Sequence, residues 1–233
     1  MVKALKRLLA PEFWKIPKKV KKWVVSPRAG PHPKFYCIPL QILVRDILKL
    51  VETGKEARTI IKKGEILVDG KPRKDHAYPV GLFDVISTPR TKQNYRVVPD
   101  VKGLALVEIP EKEADKKICK IENKTVLKKG KLQLNLHDGK NLLTDSKEYK
   151  TGDSILIELT SLKILQHLAL EKGNIGIVSE GANVGRIGKI VGIVPGKMKE
   201  DVKIACEIEG KIQEILKYRF VVIGKDKPLV TVE

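Results

Sequence analysis

The chain has 233 residues, with 46 Lys and Arg against 28 Asp and Glu, and a formal net charge of +18. Hydrophobic residues make up 42% of it, enough for a buried core, but aromatic residues only 5%. This excess of positive charge attracts polyanions, and no apolar run approaches the ~18 residues that a membrane span requires, so we expect an intracellular protein with a nucleic acid partner.

The charge is concentrated in the first segment of the chain. Residues 1–36 contain ten Lys and Arg and one acid, a balance of +9, and several prolines that prevent a long helix. Both tryptophans lie here, and aromatic side chains beside basic ones suit stacking on RNA. We therefore predict a basic arm that is extended and becomes ordered on binding RNA, with a solvated, disordered tail as the alternative. The candidate RNA contacts in the arm are Lys6, Arg7, Trp14, Lys15, Trp23, Arg28 and His32.

Two helices are predicted next. Apolar residues recur at helical spacing over residues 40–51, which indicates an amphipathic helix. Thr53 followed by Glu56 forms a capping box, which predicts the start of a second helix, and Gly64 is expected to end it. The apolar and basic residues of this second helix fall on different faces.

A hairpin follows the second helix. The stretch EILVDGKPR predicts two strands joined by a tight turn at Asp69-Gly70, and a further strand is expected around residues 83–87. Because the helix leads directly into the hairpin, we expect their basic side chains to lie near one surface, at a spacing that suits phosphates of a duplex. The candidate RNA contacts on this surface are Lys55, Arg58, Lys62, Lys63, Lys71 and Arg73.

The remainder of the chain indicates short strands between turn residues. From residue 171 the strands are spaced regularly enough for a small barrel. The predicted fold class is α+β, mainly β, with three small domains behind the arm. The predicted boundaries are 1–36 for the arm, 37–92 for the helix–hairpin domain, 93–170 for a central β-rich domain and 171–233 for the barrel.

A glycine-rich stretch, GNIGIVSEGANVGRIGKIVGI, begins the last domain. Glycine allows positive φ angles and a close approach of the backbone to a ligand. A phosphate-binding P-loop is excluded because Ile190 follows the lysine, and a dinucleotide fold because a strand and not a helix follows. A purely structural hairpin remains an alternative to an RNA-binding loop. The candidate RNA contacts are Asn183, Gly185, Arg186 and Lys189.

Catalytic and metal chemistry find no support in the sequence. The four histidines are far apart and none pairs with a cysteine at metal-ligand spacing, so no metal site is expected. No pair of acids is singled out for proton transfer, and we expect neither an enzyme nor a cofactor. The three widely spaced cysteines are typical of a reducing compartment.

Two stretches resemble known RNA-binding motifs. VETGKEARTIIKKGEILVDGKPRKD resembles the αL-motif domain of ribosomal proteins, pseudouridine synthases and some tRNA synthetases, and the glycine-rich stretch resembles the KOW motif of SH3-like barrels. The Gly-Arg-Leu-Asp segment on which pseudouridine synthases rely is absent.

Further stretches extend the resemblance to nearly the whole chain. LKRLLAPEFW, SPRAGPHP, IPLQILVRDILKL, YPVGLFDVIS and FVVIGKDKPLVTV are similar to the archaeal/eukaryotic-type small-subunit ribosomal protein number four family, in its archaeal form. The resemblance implies a cytoplasmic structural constituent of the small ribosomal subunit, with ribosomal RNA and neighbouring ribosomal proteins as partners, no membrane contact and no homo-oligomer. A non-ribosomal RNA-binding assembly or stress factor is the alternative, and an RNA-modifying enzyme ranks third.

Overall fold

The computed structural model describes residues 5–101, 103–127, 130–196 and 201–232. It is 41% strand and 16% helix, which confirms the predicted α+β, mainly β class. The chain forms two compact units, one of Met1–Val97 with Lys102–Ala114 and the other of Val98–Val101 with Asp115–Glu233. The division into an arm and three domains stays a prediction, and its residues 1–4, 102, 128–129, 197–200 and 233 lie outside the described ones.

The described residues include short helices and nineteen strands. The α-helices are α1 (Leu40–Ile42), α2 (Gly54–Lys63) and α3 (Glu111–Ala114), with a π-helical turn at Leu43–Ile47 and 3₁₀ turns at Arg7–Leu9, Glu12–Trp14, Lys34–Tyr36 and Lys217–Arg219. The strands are β1 (Leu5–Lys6), β2 (Trp23–Val24), β3 (Ile38–Pro39), β4 (Leu67–Val68), β5 (Lys71–Pro72), β6 (Pro79–Val80), β7 (Val85–Thr88), β8 (Gln93–Asp100), β9 (Gly103–Ile109), β10 (Lys116–Val126), β11 (Leu132–Leu136), β12 (Asn141–Thr144), β13 (Ser154–Glu158), β14 (Ile164–Leu168), β15 (Ile175–Val178), β16 (Ile187–Val194), β17 (Lys203–Ile208), β18 (Lys211–Leu216) and β19 (Phe220–Gly224).

The N-terminal segment is packed into the core of the first unit. Its strands β1 and β2 pair with each other, and Ala10, Trp14 and Ile16 are buried in the same apolar cluster as α1. Trp14 has no exposed surface, and its indole Nε1 donates a hydrogen bond to the Cys37 carbonyl at 2.8 Å. The expectation of an extended arm is therefore corrected, because Ala10, Trp14 and Ile16 are buried without RNA.

The two predicted helices form, the first of them shorter than expected. The helical path that begins at Leu40 runs through the π-helical turn to Ile47 instead of residue 51, and Lys49 adopts a left-handed φ of 52° that does not continue a helix. In α2 the capping box is present, with Thr53 and Glu56 each bonding the other's backbone N–H. Gly64, at φ 78°, ends α2 as predicted.

The first unit contains a five-stranded sheet in the order β5-β4-β7-β8-β9. The predicted turn joins β4 to β5, and Asp69 and Gly70 have φ angles of 52° and 71°, the left-handed pair that a type I′ hairpin turn needs. The Asp69 carboxylate also accepts a hydrogen bond from the backbone N–H of Val85 at 3.1 Å, which fixes the turn to β7. The predicted third strand begins at Val85, later than expected, because Phe83 is in a turn with φ 61°.

The second unit consists of two five-stranded antiparallel sheets. Their orders are β12-β11-β10-β13-β14 and β18-β17-β16-β15-β19. Alternation places Leu132, Leu134 and Leu136 of β11 in the interior while Gln133 and Asn135 are partly exposed. In β11 the interior is therefore formed by the alternating apolar residues that the sequence showed, whereas β13 and β19 are buried along most of their length.

A buried lysine connects the two sheets of the second unit. The ammonium group of Lys120, on β10, donates to the carbonyl oxygens of Lys217, Tyr218 and Phe220, each at 2.8 Å. Burial lowers the pKa of Lys120 to about 8, whereas three carbonyl acceptors favour its charged form. The lysine therefore fixes the turn before β19 against β10 and is not available to a partner.

Candidate RNA interface

Helix α2 separates its apolar and basic residues onto two faces. Ala57 and Ile61, four residues apart, are fully buried against the core. The basic side chains of the opposite face are exposed: Lys55, Arg58, Lys62 and Lys63. The capping box and the C-terminal glycine hold the helix in place at both ends, so these cations are carried on a fixed element.

The hairpin supplies two further basic residues. Lys71 is exposed on β5, which is the edge strand of its sheet. Arg73 is half-buried, with its guanidinium 4.6 Å from the centre of the Tyr78 ring. Lys71 is thus open to a partner, whereas Arg73 is held by a cation–π contact.

The predicted contacts of the N-terminal segment divide into exposed and buried side chains. Lys6, Lys15, Trp23 and Arg28 are exposed. Arg7, Trp14 and His32 are buried. The Arg7 guanidinium donates to the Pro17 carbonyl, and the His32 imidazole Nε2 lies 3.1 Å from the Asp84 carboxylate. The three side chains are at most 6% exposed and their polar groups are engaged within the protein, so the structure does not support their assignment as RNA contacts.

A groove of about 300 Å³ runs beside α2 in the first unit. It is lined by Trp23, Val24, Val25, Ser26, Arg28, Gln41, Arg45, Arg58, His76 and Ala77. Three of the RNA contacts that the sequence analysis proposed, Trp23, Arg28 and Arg58, therefore line the same groove. Gln41, Arg45 and His76 were missed, and only the four-residue spacing of Gln41 and Arg45 on the first helical segment could have indicated two of them.

The groove has a positive electrostatic environment. The pKa of His76 is lowered by partial burial and then by the nearby Arg58, Arg28 and Lys62, while the adjacent Asp75 acts in the opposite direction. Two of the lining cations are ion-paired: Arg28 with Asp75 at 3.2 Å and Arg45 with Asp46 at 2.7 Å. Burial first, and then the neighbouring cations, lower the pKa of His76 and favour its neutral form, and the same cations would attract an anion.

The glycine-rich loop of the second unit is held by contacts within the protein. Gly185 has a φ of 81°, and a Cβ there would lie 3.0 Å from the carbonyl oxygen of Pro99 and from Cα of Asp100 in the same unit. The space beside Gly185 is therefore filled by protein backbone, and this glycine serves packing instead of a close approach to RNA.

The polar residues of this loop are partly engaged. The Asn183 amide donates to the Gln213 side chain, and Arg186 pairs with Glu209 at 3.2 Å on the surface. Lys189 is exposed on β16. Arg186 and Lys189 can still reach a phosphate, since a surface ion pair is worth little and exchanges easily.

Two buried thiols and the grouping of possible metal ligands bear on catalytic chemistry. Burial raises the pKa of the Cys37 thiol to about 12 and that of Cys206 to about 11, so neither provides a thiolate nucleophile. Within the described ranges, no three His, Cys, Asp or Glu side chains are grouped to hold a metal ion. None of the helices in those ranges is long and apolar enough to cross a membrane.

Three family models match successive parts of the chain. The RS4NT (NUC023) domain matches residues 2–34, the S4 domain residues 38–86, and the ribosomal family S4e residues 91–164. The helix–hairpin segment with the basic face lies within the S4 match, and the packed N-terminal segment is the RS4NT match.

Curated relatives align with nearly the whole chain. The small ribosomal subunit protein eS4 of Staphylothermus marinus is 46% identical over 98% of this chain and 94% of its own, and that of Archaeoglobus fulgidus is 48% identical over 97% and 96%. The crystal structure of the 30S ribosomal protein S4e from Thermoplasma acidophilum is 27% identical, with a TM-score of 0.72 over 82% of this chain and 96% of that one. The chain therefore belongs to the ribosomal S4e family, and the two relatives compared above are archaeal.

Proposed function

We propose that this protein is a structural constituent of the small ribosomal subunit that binds folded ribosomal RNA through the phosphate backbone. The observation that carries the proposal is the set of exposed, unpaired cations on α2 and β5. Among the residues that the structure describes, none of Lys55, Lys62, Lys63 and Lys71 forms an ion pair. These charges lie on capped or hydrogen-bonded elements, so little ordering is needed when RNA binds.

The proposed mechanism is neutralisation of phosphates with release of counterions. Lysines without a carboxylate partner can each replace a counterion near the RNA, whereas an ion-paired lysine first has to break its own pair. The S4 domain is an RNA-binding domain, and it is the part of the chain that carries these lysines. Few exposed groups in this set can read base edges, so specificity would come from the shape of the RNA.

The second unit contributes fewer of the proposed RNA contacts than the first. In the sequence, the second unit contains 22 Lys and Arg and 17 acids, a balance of +5, compared with +13 for the first unit. Arg186 and Lys189 are its proposed RNA contacts, and the five-stranded sheet that carries them is the proposed KOW barrel. Neighbouring ribosomal proteins are the other proposed partners, and the proposed location is the cytoplasmic small subunit.

Sedimentation distinguishes a ribosomal constituent from a free RNA-binding factor. Extracts of cells that express the protein are separated on a sucrose gradient before and after a high-salt wash, and the protein is followed with an antibody. We expect it to remain with small subunits after the wash, because many contacts have to break together. Recovery only in the free fractions would contradict the proposal and favour the non-ribosomal factor.

A further inference from the structure

The groove beside α2 carries an arginine that is held in place by a neutral partner. Arg58 donates from Nε to the Gln41 side-chain oxygen at 3.2 Å, and Gln41, only 3% exposed, donates in turn to the Gly54 carbonyl at 3.3 Å. Among the described residues Arg58 has no carboxylate partner, so its charge is uncompensated while its position is fixed. The terminal nitrogens of a guanidinium held in this way are suited to two oxygens of one phosphate.

Glycine at position 54 is part of the same arrangement. A Cβ at Gly54 would lie 2.7 Å from Nε2 of Gln41 and 3.2 Å from Nη1 of Arg45. Two polar side chains of the groove therefore pack against the start of α2, in the space that a side chain would take. We call the side chains of Gln41 and Arg45 the polar wall of the groove, and they can take these positions because residue 54 has no Cβ.

An exposed aromatic ring lines the groove together with these cations. Trp23 is 50% exposed, whereas the other tryptophan is fully buried. The Lys22 ammonium lies 5.5 Å from the centre of the Trp23 ring, which is a weak interaction on an exposed surface. A large exposed indole beside a fixed arginine offers a stacking surface and a phosphate contact within one groove.

The size of the groove favours one nucleotide over a helix. Its volume of about 300 Å³ is at the lower end of the range of about 300–1,000 Å³ for small-ligand pockets. A base pair is stacked on both sides within a duplex and cannot present its face to an indole, whereas an unpaired base can.

We propose that this groove binds one unpaired nucleotide of the RNA, with its base stacked on Trp23 and its phosphate held by Arg58. The inference rests on the proposed function and adds a subsite for single-stranded RNA to the phosphate contacts of α2. Gln41 and Gly54 act as positioning residues, since they hold Arg58 and the polar wall and need not touch the RNA.

Binding of three probes to the full-length protein tests the subsite. The probes are a short fluorescein-labelled oligoadenylate, an RNA duplex with the same number of phosphates, and adenosine monophosphate, with fluorescence anisotropy or competition as the readout. We expect Trp23→Ala to weaken oligoadenylate binding about tenfold and to change duplex binding much less. Arg58→Gln should weaken oligoadenylate binding by a similar factor and also weaken duplex binding, because Arg58 belongs to the basic face of α2. The oligoadenylate should also quench the tryptophan fluorescence of the wild-type protein.

Matched variants control for the loss of an aromatic ring and of a positive charge. Phe35→Ala removes another exposed aromatic of the N-terminal segment, 72% exposed, and Arg90→Gln removes an arginine whose side chain is 83% exposed. Neither residue lines the groove. We expect both to change oligoadenylate affinity less than about twofold, and the melting temperature of every variant is compared with that of the wild type.

The outcomes separate this subsite from the general RNA-binding proposal. Equal losses of oligoadenylate and duplex binding in Trp23→Ala, or losses of oligoadenylate binding as large in the two controls, would overturn the subsite and leave the phosphate-contact function standing. Adenosine monophosphate binding as tightly as the oligoadenylate would overturn the assignment to RNA. Absence of binding to both RNA forms would contradict the proposed function itself.

Discussion

The burial of Trp14 leads to a quantitative prediction about the N-terminal segment. The indole is fully buried and makes one hydrogen bond, to the Cys37 carbonyl. Trp14→Ala removes a large buried side chain, which costs about 3–5 kcal/mol of unfolding free energy. Trp14→Phe keeps much of the apolar contact but leaves the Cys37 carbonyl without its donor, so a smaller cost of about 1–2 kcal/mol is expected.

Urea denaturation of the RNA-free, full-length protein measures these costs. Unfolding is followed by far-ultraviolet circular dichroism, and Trp23→Ala serves as the matched control because Trp23 is half exposed. We expect the control to lose less than about 1 kcal/mol. A loss below about 1 kcal/mol for Trp14→Ala would refute the reasoning, because it would mean that the segment is undocked in the absence of RNA.

Three further predictions concern charge, backbone conformation and protonation. Lys62→Glu with Lys63→Glu should weaken binding to small-subunit RNA and flatten the slope of log affinity against log salt by about 0.7–0.9 per lost contact, with an unchanged melting temperature; an unchanged slope would contradict the phosphate contacts. Gly185→Ala should destabilise the second unit by about 1–3 kcal/mol, because the positive φ is unfavourable for alanine and the new Cβ would lie too close to neighbouring backbone atoms. Gly192→Ala, with open space around it, should be close to neutral in the same urea titration. Between about pH 7 and pH 5 the wild-type protein should lose thermal stability, because the pKa of His76 is lower in the native state and the unfolded chain therefore takes up the proton first. His76→Gln should reduce this loss, and an identical pH profile of the melting temperature would contradict the prediction.

Local signals in the sequence were sufficient for the S4 segment. The capping box at Thr53, the glycine after α2 and the Asp69-Gly70 turn each depend on a few neighbouring residues, and all three form as predicted. The basic face of α2 follows from helical spacing alone. These features could be predicted because their geometry is determined within one or two turns of chain.

The features that were missed depend on residues far apart in the chain. Trp14 was expected to contact RNA because aromatic and basic side chains are neighbours in this segment, and its burial results from packing against α1, more than twenty residues later. The groove collects side chains from the N-terminal segment, from α1, from α2 and from the loop at His76. No pattern within a single segment indicates such a meeting point, so Gln41 and His76 could only be identified from the structure.

Crosslinking within intact small subunits tests the central claim most directly. Purified subunits that contain the protein are irradiated with ultraviolet light, the RNA is digested, and the peptides that carry a nucleotide are identified by mass spectrometry. We predict crosslinks in the peptides around α2 and the hairpin, and at Trp23, with Trp14 unmodified because it is buried. Crosslinks confined to the second unit, or none in residues 53–74, would contradict the assignment of the main RNA contact to the first unit.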